Sequence, residues 1–196
     1  MDEPGLHEEL LAKIAKGSES ALAELYALFK TRVYNSALSY LQNVADAEEV
    51  TQDVFVKIFQ SAARFEQKSS VSTWIYRITV NQSLDRLNHR NRQKRFGVLV
   101  GLFRDNSPQE AIPLPHFDHP GVLLEQKEHA RILFQAIESL PDQQKTAFIL
   151  SFIEGLPRQE AADVMEVSLK ALESLLQRAK ANLRTRLDYF FPERRI

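Results

Sequence analysis

The sequence predicts an all-α protein of two small helical domains joined by a flexible linker, the second domain a helix-turn-helix. Three observations predict it. Apolar residues recur at spacings of three and four rather than alternating. No Val/Ile/Thr-rich run is bounded by hairpin turn residues. Between Phe96 and Pro120 the periodicity stops, and Gly97, Gly101, Pro108, Pro113, Pro115 and Pro120 punctuate the chain. The domains are accordingly placed at residues 1–95 and 121–196, with the linker at 96–120. A chain of 196 residues suffices for two modest cores.

Each helix carries its own signals. The first, about Leu6 to Lys16, ends at Gly17, and Ser18 is a suitable N-cap for a longer second one. Leu22, Leu25, Phe29, Val33, Ala37 and Tyr40 form the buried stripe of that second helix. The third, about Ala45 to Ala63, is expected to bury Val50, Val54, Phe55, Ile58, Phe59 and Ala62. In the fourth, about Val71 to Arg92, the apolar side is Tyr76, Val80, Leu84 and Leu87. Helical spacing resumes near Val122, and breaks at Pro141, Gly155-Leu156-Pro157 and Val167-Ser168 divide the remainder into four helices. Pro157 can open a short helix from Arg158 to Met165, followed by a three-residue turn and a longer helix capped by Ser168. Leu169, Leu172, Leu176, Ala179, Leu183 and Leu187 hold that last helix to its core.

Composition narrows the function. Without cysteine there are no disulfides, thiolate zinc sites or cysteine nucleophiles. No apolar run reaches the roughly 20 residues that span a bilayer, and the acidic start lacks the basic region of a secretory signal, so the expected location is the cytoplasm. Gly-rich phosphate loops and serine or histidine catalytic arrangements are absent, and His116 and His119 have nothing to complete a metal site. The expectation is a protein that is not an enzyme and uses no metal, cofactor or small-molecule substrate.

Twenty-five basic residues nearly cancel 26 acidic ones, but they are segregated. Met1 to Asp53 holds ten acids and four Lys/Arg; Asp85 to Arg95 holds Arg86, Arg90, Arg92, Lys94 and Arg95 against one acid. Such asymmetry points to two partners of opposite charge. On the third helix Asp46, Glu49 and Asp53 share a face, beside Glu48 and Gln52. That face suits a basic protein partner, although N-terminal acids also favour the helix dipole. On the fourth, Trp74, Arg77, Asn81, Asp85 and Asn88 share a face ahead of the basic tract. An indole, a guanidinium and amides followed by dense positive charge can stack, hydrogen-bond and neutralise unpaired nucleotides, while Trp74 can equally cap the core. The last helix exposes Lys170, Glu173, Ser174, Gln177, Arg178, Ala181 and Arg184, which fits either a recognition helix or a solvated helical hairpin.

Taken in order, Asp46-Ala47-Glu48-Glu49-Val50-Thr51-Gln52-Asp53-Val54-Phe55, Ser72-Thr73-Trp74-Ile75-Tyr76-Arg77-Ile78 with Asn81 and Asp85, Leu140-Pro141, Glu154-Gly155-Leu156 and Ser168 to Leu183 resemble bacterial sigma factors of the extracytoplasmic-function group. The resemblance spans nearly the whole chain except the linker and the extreme ends. It implies that the first domain corresponds to sigma region 2 and the second to region 4. Asp46, Glu49, Gln52 and Asp53 would then dock on the β′ clamp helices of core RNA polymerase. Phe65, Ser72, Trp74, Arg77, Asn81, Arg86 and Arg90 would melt and hold the minus-ten element of promoter DNA. Arg158, Ser168, Lys170, Ser174, Arg178 and Lys180 would contact the minus-thirty-five duplex, with the same domain touching the β flap. An anti-sigma protein, often membrane-bound, is the further partner implied. Ala171, Glu173 and Leu175 depart from the commonest recognition-helix pattern of the family. The alternative is a stand-alone helix-turn-helix regulator that binds duplex DNA without polymerase; a protein-interaction adaptor is a third reading.

Overall fold

The computed structural model describes residues 5–102 and 127–190, with no strand among them. Four helices form the first domain: α1 (Leu6–Ile14), α2 (Glu19–Leu41), α3 (Val44–Ser61) and α4 (Val71–Leu102), with a 3-10 turn at Ala62–Arg64. Four more form the second: α5 (Lys127–Glu138), α6 (Asp142–Phe148), α7 (Arg158–Met165) and α8 (Leu169–Phe190), with a π turn at Ile149–Ile153 between α6 and α7.

Caps set where these helices start. Gly17 leaves α1 at φ 88°, a conformation with no steric cost only for glycine, and Ser18 Oγ then accepts the Ala21 N–H at 3.3 Å. Asn43 Oδ1 accepts the Asp46 N–H at 2.9 Å and starts α3. Ser70 Oγ does the same for the Thr73 N–H at 3.1 Å ahead of α4. In the second domain Ser168 Oγ accepts the Ala171 N–H at 3.2 Å, as its sequence position predicts. The turn before it is three residues long, with Glu166 in the left-handed region at φ 55°, and this completes the expected helix-turn-helix.

The first core is built from Leu10, Leu11 and Ile14 of α1, Leu25, Phe29, Val33 and Leu41 of α2, Val50, Val54 and Ile58 of α3, and Ile75, Val80 and Leu87 of α4. The buried edge of α4 is Val71, Ile75, Thr79, Ser83 and Leu87, a strict four-residue repeat, whereas Tyr76 and Leu84 are only partly buried. Thr79 is hidden because its Oγ1 donates to the Ile75 carbonyl at 2.9 Å, so the helix itself satisfies the hydroxyl. Phe59, expected inside, is 39% exposed, as is Leu169 at the first residue of α8. The second core joins Phe134, Ile137 and Leu140 to Ala147, Ile149 and Leu150, to Ala161, Ala162 and Val164, and to Leu172, Leu175, Leu176, Ala179 and Leu183.

Helix α4 continues past Arg92 to Leu102, beyond the expected start of the linker. Gly97 and Gly101 cost a helix about 1 kcal/mol each without breaking it, and the first proline is Pro108. The rest of the expected linker, with His116 and His119, lies outside the described residues.

Adjacent residues on α3 test this packing. Ile58→Ala should lower the free energy of unfolding in urea by about 2–5 kcal/mol, and Phe59→Ala by less than about 1 kcal/mol. Equal losses would contradict the placement of the α3 face.

Candidate functional site

The acidic face of α3 and the basic tract of α4 meet. Arg86 donates from Nε and Nη2 to Asp46 Oδ1 at 2.9 and 2.6 Å, and from Nη1 and Nη2 to Glu49 Oε1 and Oε2 at 2.9 and 2.6 Å. Arg90 Nη1 reaches Asp46 Oδ2 at 3.3 Å and the Leu41 carbonyl, at the end of α2, at 2.9 Å. The Asp46 side chain, 16% exposed, is thus shared by two guanidiniums. Its hydrogen bond holds the Arg86 guanidinium above its ordinary pKa. Glu49 is engaged on its Arg86 side while Glu48, Gln52 and Asp53 stand exposed along the same helix. Glu48 and Gln52 also border, with Tyr26, Lys30 and Tyr34 of α2, an open cleft of about 390 Å³.

The other residues expected to touch unpaired DNA lie at the start of α4 and the loop before it. Trp74 is partly buried, its ring tilted 56° against Phe65 with centroids 5.3 Å apart, so the core-capping and stacking roles belong to one aromatic pair. Ser72 is half-buried and Asn81 exposed.

Arg77 faces the second domain. Its Nε and Nη2 donate to the Asp163 carbonyl at 3.1 and 2.6 Å, and its Nη1 pairs with Glu166 Oε1 at 3.0 Å. Asp163 is in the last turn of α7, where the helix dipole is negative, and its carbonyl, which also accepts the Glu166 N–H at 3.2 Å, is a suitable site for a guanidinium. Arg90 Nη2 likewise reaches Glu138 Oε1 of α5, and Asn88 Nδ2 reaches Asp142 Oδ2 of α6, both at 3.3 Å. Ser39 Oγ of α2 donates to Glu154 Oε1 at 3.4 Å. Burial pushes the Glu154 carboxyl up to about 7, opposed by that hydrogen bond. Nearby, Tyr40 of α2 and Thr146 of α6 are buried with their hydroxyls close to each other. Nothing in the sequence signalled these contacts, because each joins residues far apart along the chain.

In the helix-turn-helix, Ser168, Lys170, Ser174 and Arg178 are exposed, and the last three follow one another at intervals of four on one face of α8. Arg178 is steadied by Ser174, its Nη2 donating to Ser174 Oγ at 3.1 Å. Arg158 and Lys180 are grouped elsewhere. They flank the exposed ring of Phe152, their cationic centres 4.8 and 4.7 Å from its centroid. Phe152 was missed from sequence because an apolar residue beside Ile149 and Leu150 reads as core. Among the described residues no group of three or more His, Cys, Asp or Glu could hold a metal, and no helix is long and apolar enough to cross a membrane.

The sigma-70 region 2 family model matches residues 25–93 and the sigma-70 region 4 model residues 130–183, together more than half of the chain. The chain is 27% identical over 189 residues to the ECF RNA polymerase sigma-E factor of Escherichia coli K12, covering 92% of this chain and 93% of that one. It is 24% identical over 181 residues to the ECF RNA polymerase sigma factor SigW of Bacillus subtilis, covering 90% and 94%. The fold is similar to that of CnrH, solved in complex with the cytosolic domain of CnrY, at a TM-score of 0.64 and 24% identity over 94% of this chain and 99% of that one. It is also similar to the sigma factor RpoE of Bartonella quintana, solved with the anti-sigma factor NepR, at a TM-score of 0.57 and 20% identity over 85% and 96%.

Glu154 yields a prediction. Its folded pKa lies above the ordinary 4.5, so the folded protein holds the proton more tightly than the unfolded chain. Stability from this group is full below about pH 4.5 and is lost as pH rises through about 7. Glu154→Gln should remove a decline on the order of 2 kcal/mol in unfolding free energy between about pH 5 and pH 8. An unchanged pH profile in urea titrations would contradict it.

Proposed function

Because the chain belongs to the extracytoplasmic-function sigma factors of the sigma-70 family, and so directs RNA polymerase to promoters, we propose a division of that work among its helices. The acidic strip of α3, Asp46, Glu49, Gln52 and Asp53, docks on the basic β′ clamp helices of core polymerase. Glu49, Gln52 and Asp53 supply the exposed contact, and Asp46 anchors the strip by binding Arg86 and Arg90 beneath it. Charge complementarity of this kind steers encounter and fixes register.

Phe65, Ser72, Trp74, Arg77 and Asn81 form the surface for the minus-ten element, with Arg86 and Arg90 for its phosphates. Extruding a base costs a few kcal/mol, and a site that stacks on the base and hydrogen-bonds its edge recovers that cost selectively. Initiation then runs on binding energy with no cofactor. Lys170, Ser174 and Arg178, on one face of α8, enter the minus-thirty-five duplex, with Ser168 at the helix start. Arg158 and Lys180, gathered around Phe152, present charge to the flanking phosphates or to the polymerase flap. An anti-sigma protein is the expected inhibitor, by analogy with the partner of the Bartonella factor.

The observation that carries this reading is the exposed acidic strip of α3 set directly beside an arginine-rich helix. A stand-alone helix-turn-helix regulator has no use for that strip. Glu49→Lys combined with Asp53→Lys should weaken binding to core polymerase at least about tenfold while leaving the circular dichroism spectrum unchanged. Unchanged affinity would contradict the docking assignment.

A further inference from the structure

Helix α1 lies ahead of residue 25, where the region 2 match begins. Its nine residues are too few to hold a helix in water by themselves, so it persists by packing. Leu10, Leu11 and Ile14 are buried, Ile14 to 1% exposure. Besides α2, which follows it, α1 packs on the 3-10 turn Ala62–Arg64 and on α4. Those two elements are the stems of the loop at 65–70: the turn leads into it and α4 leads out of it.

We propose that α1 is a positioning element for promoter opening, which holds both stems of this loop at a fixed separation and so keeps Phe65 and Trp74 in the geometry that receives an unpaired base. The proposal rests on the assignment of Phe65 and Trp74 to the minus-ten element made above. Three observations support it.

The first is that the loop has weak anchors of its own. Glu66, Gln67 and Lys68 are exposed, and the ion pair between Glu66 and Lys68 stays within the loop. Exposed pairs of this kind contribute little. Gln67 sits at φ 54°, a left-handed conformation that a residue other than glycine keeps only where its surroundings impose it.

The second is how the two rings are tied to the stems. The Phe65 N–H donates to the carbonyl of buried Ala62 at 3.2 Å. On the other side Trp74 is in the first turn of α4, its N–H donating to the Ser70 carbonyl at 3.0 Å. The 5.3 Å spacing of the rings therefore follows the distance between the stems, and an element that touches both stems sets it.

The third is that α1 is itself firmly held. The Gly17 N–H donates to the Ile14 carbonyl at 2.8 Å and the Ser18 N–H to the Lys13 carbonyl at 3.1 Å, which closes the turn into α2. Toward its other end the His7 ring meets Phe29 of α2 edge-on, with centroids 4.9 Å apart. Binding groups keep a productive geometry only when their supporting elements are fixed in this way.

The docking strip Glu49, Gln52 and Asp53 precedes the last turns of α3, so loosening α1 should separate the holding of DNA from the binding of polymerase. Ile14→Ala and the milder Ile14→Val, in the full chain, test this against Val54→Ala, a deletion in the buried side of α3. Urea titration first establishes conditions in which each variant is folded. Holoenzymes assembled with core polymerase are then titrated with a single-stranded oligonucleotide carrying the minus-ten block that the wild-type holoenzyme selects from a randomised promoter library. Ile14→Ala should weaken oligonucleotide binding about fivefold and Ile14→Val about twofold, with core affinity held within about twofold and neither quantity changed by Val54→Ala. Trp74 is the sole tryptophan, so its emission in the free chain should move to longer wavelength in the Ile14 variants and not in Val54→Ala.

Unchanged oligonucleotide affinity in both Ile14 variants would overturn the proposal. So would an equal loss in Val54→Ala, which would reduce the effect to general stability. A wild-type holoenzyme that does not bind the oligonucleotide would overturn it together with the assignment of Phe65 and Trp74.

Discussion

Asp46 is the charge on which the rest of the first domain turns. Its carboxylate lies between Arg86 and Arg90, and through them α3 is tied to α4 and to the end of α2. A carboxylate this enclosed needs counter-charges, because removing one partner of a desolvated pair leaves the other at a cost of several kcal/mol. The acidic strip and the basic tract, which a sequence reads as surfaces for two opposite partners, are therefore also counter-ions for each other. A polymerase helix that engages Glu49 must share it with Arg86, so docking on α3 and the freedom of the arginines on α4 are physically coupled.

The same economy operates between the domains. Arg90 touches α2, α3 and α5 at once, and Arg77 caps the end of α7. The second domain thus meets the first through the groups proposed above for DNA. Buried apolar residues of the two domains belong to one cluster, and the polar contacts fix how the domains face each other.

Much of this was legible in the sequence, and the losses have physical reasons. Ser18 and Ser168 declare their helix starts because a capping hydroxyl next to an amphipathic run has few other uses. On the buried side of α4, Val80 and Leu87 were read as buried and are, whereas the core positions of Thr79 and Ser83 were missed because a hydroxyl carries no apolar signal, although Thr79 satisfies its own within the helix. Glycines at 97 and 101 suggested a helix end that the backbone does not need. For the candidate site, the residue types and their grouping along α3, α4 and α8 were visible from spacing. Their pairing was not, since Asp46 with Arg86, or Arg77 with Asp163, depends on how helices cross. The same holds for Arg158 of α7 and Lys180 of α8, which the resemblance names among residues for the minus-thirty-five duplex and packing gathers around Phe152.

The central claim is that this chain, through surfaces of opposite charge on one small helical body, gives core polymerase the ability to choose and open a start site. Run-off transcription by purified core enzyme from a library of randomised promoters measures that directly. The account predicts discrete transcripts, from templates sharing two conserved upstream blocks, only when the protein is added. Transcripts no different with and without it would contradict the account.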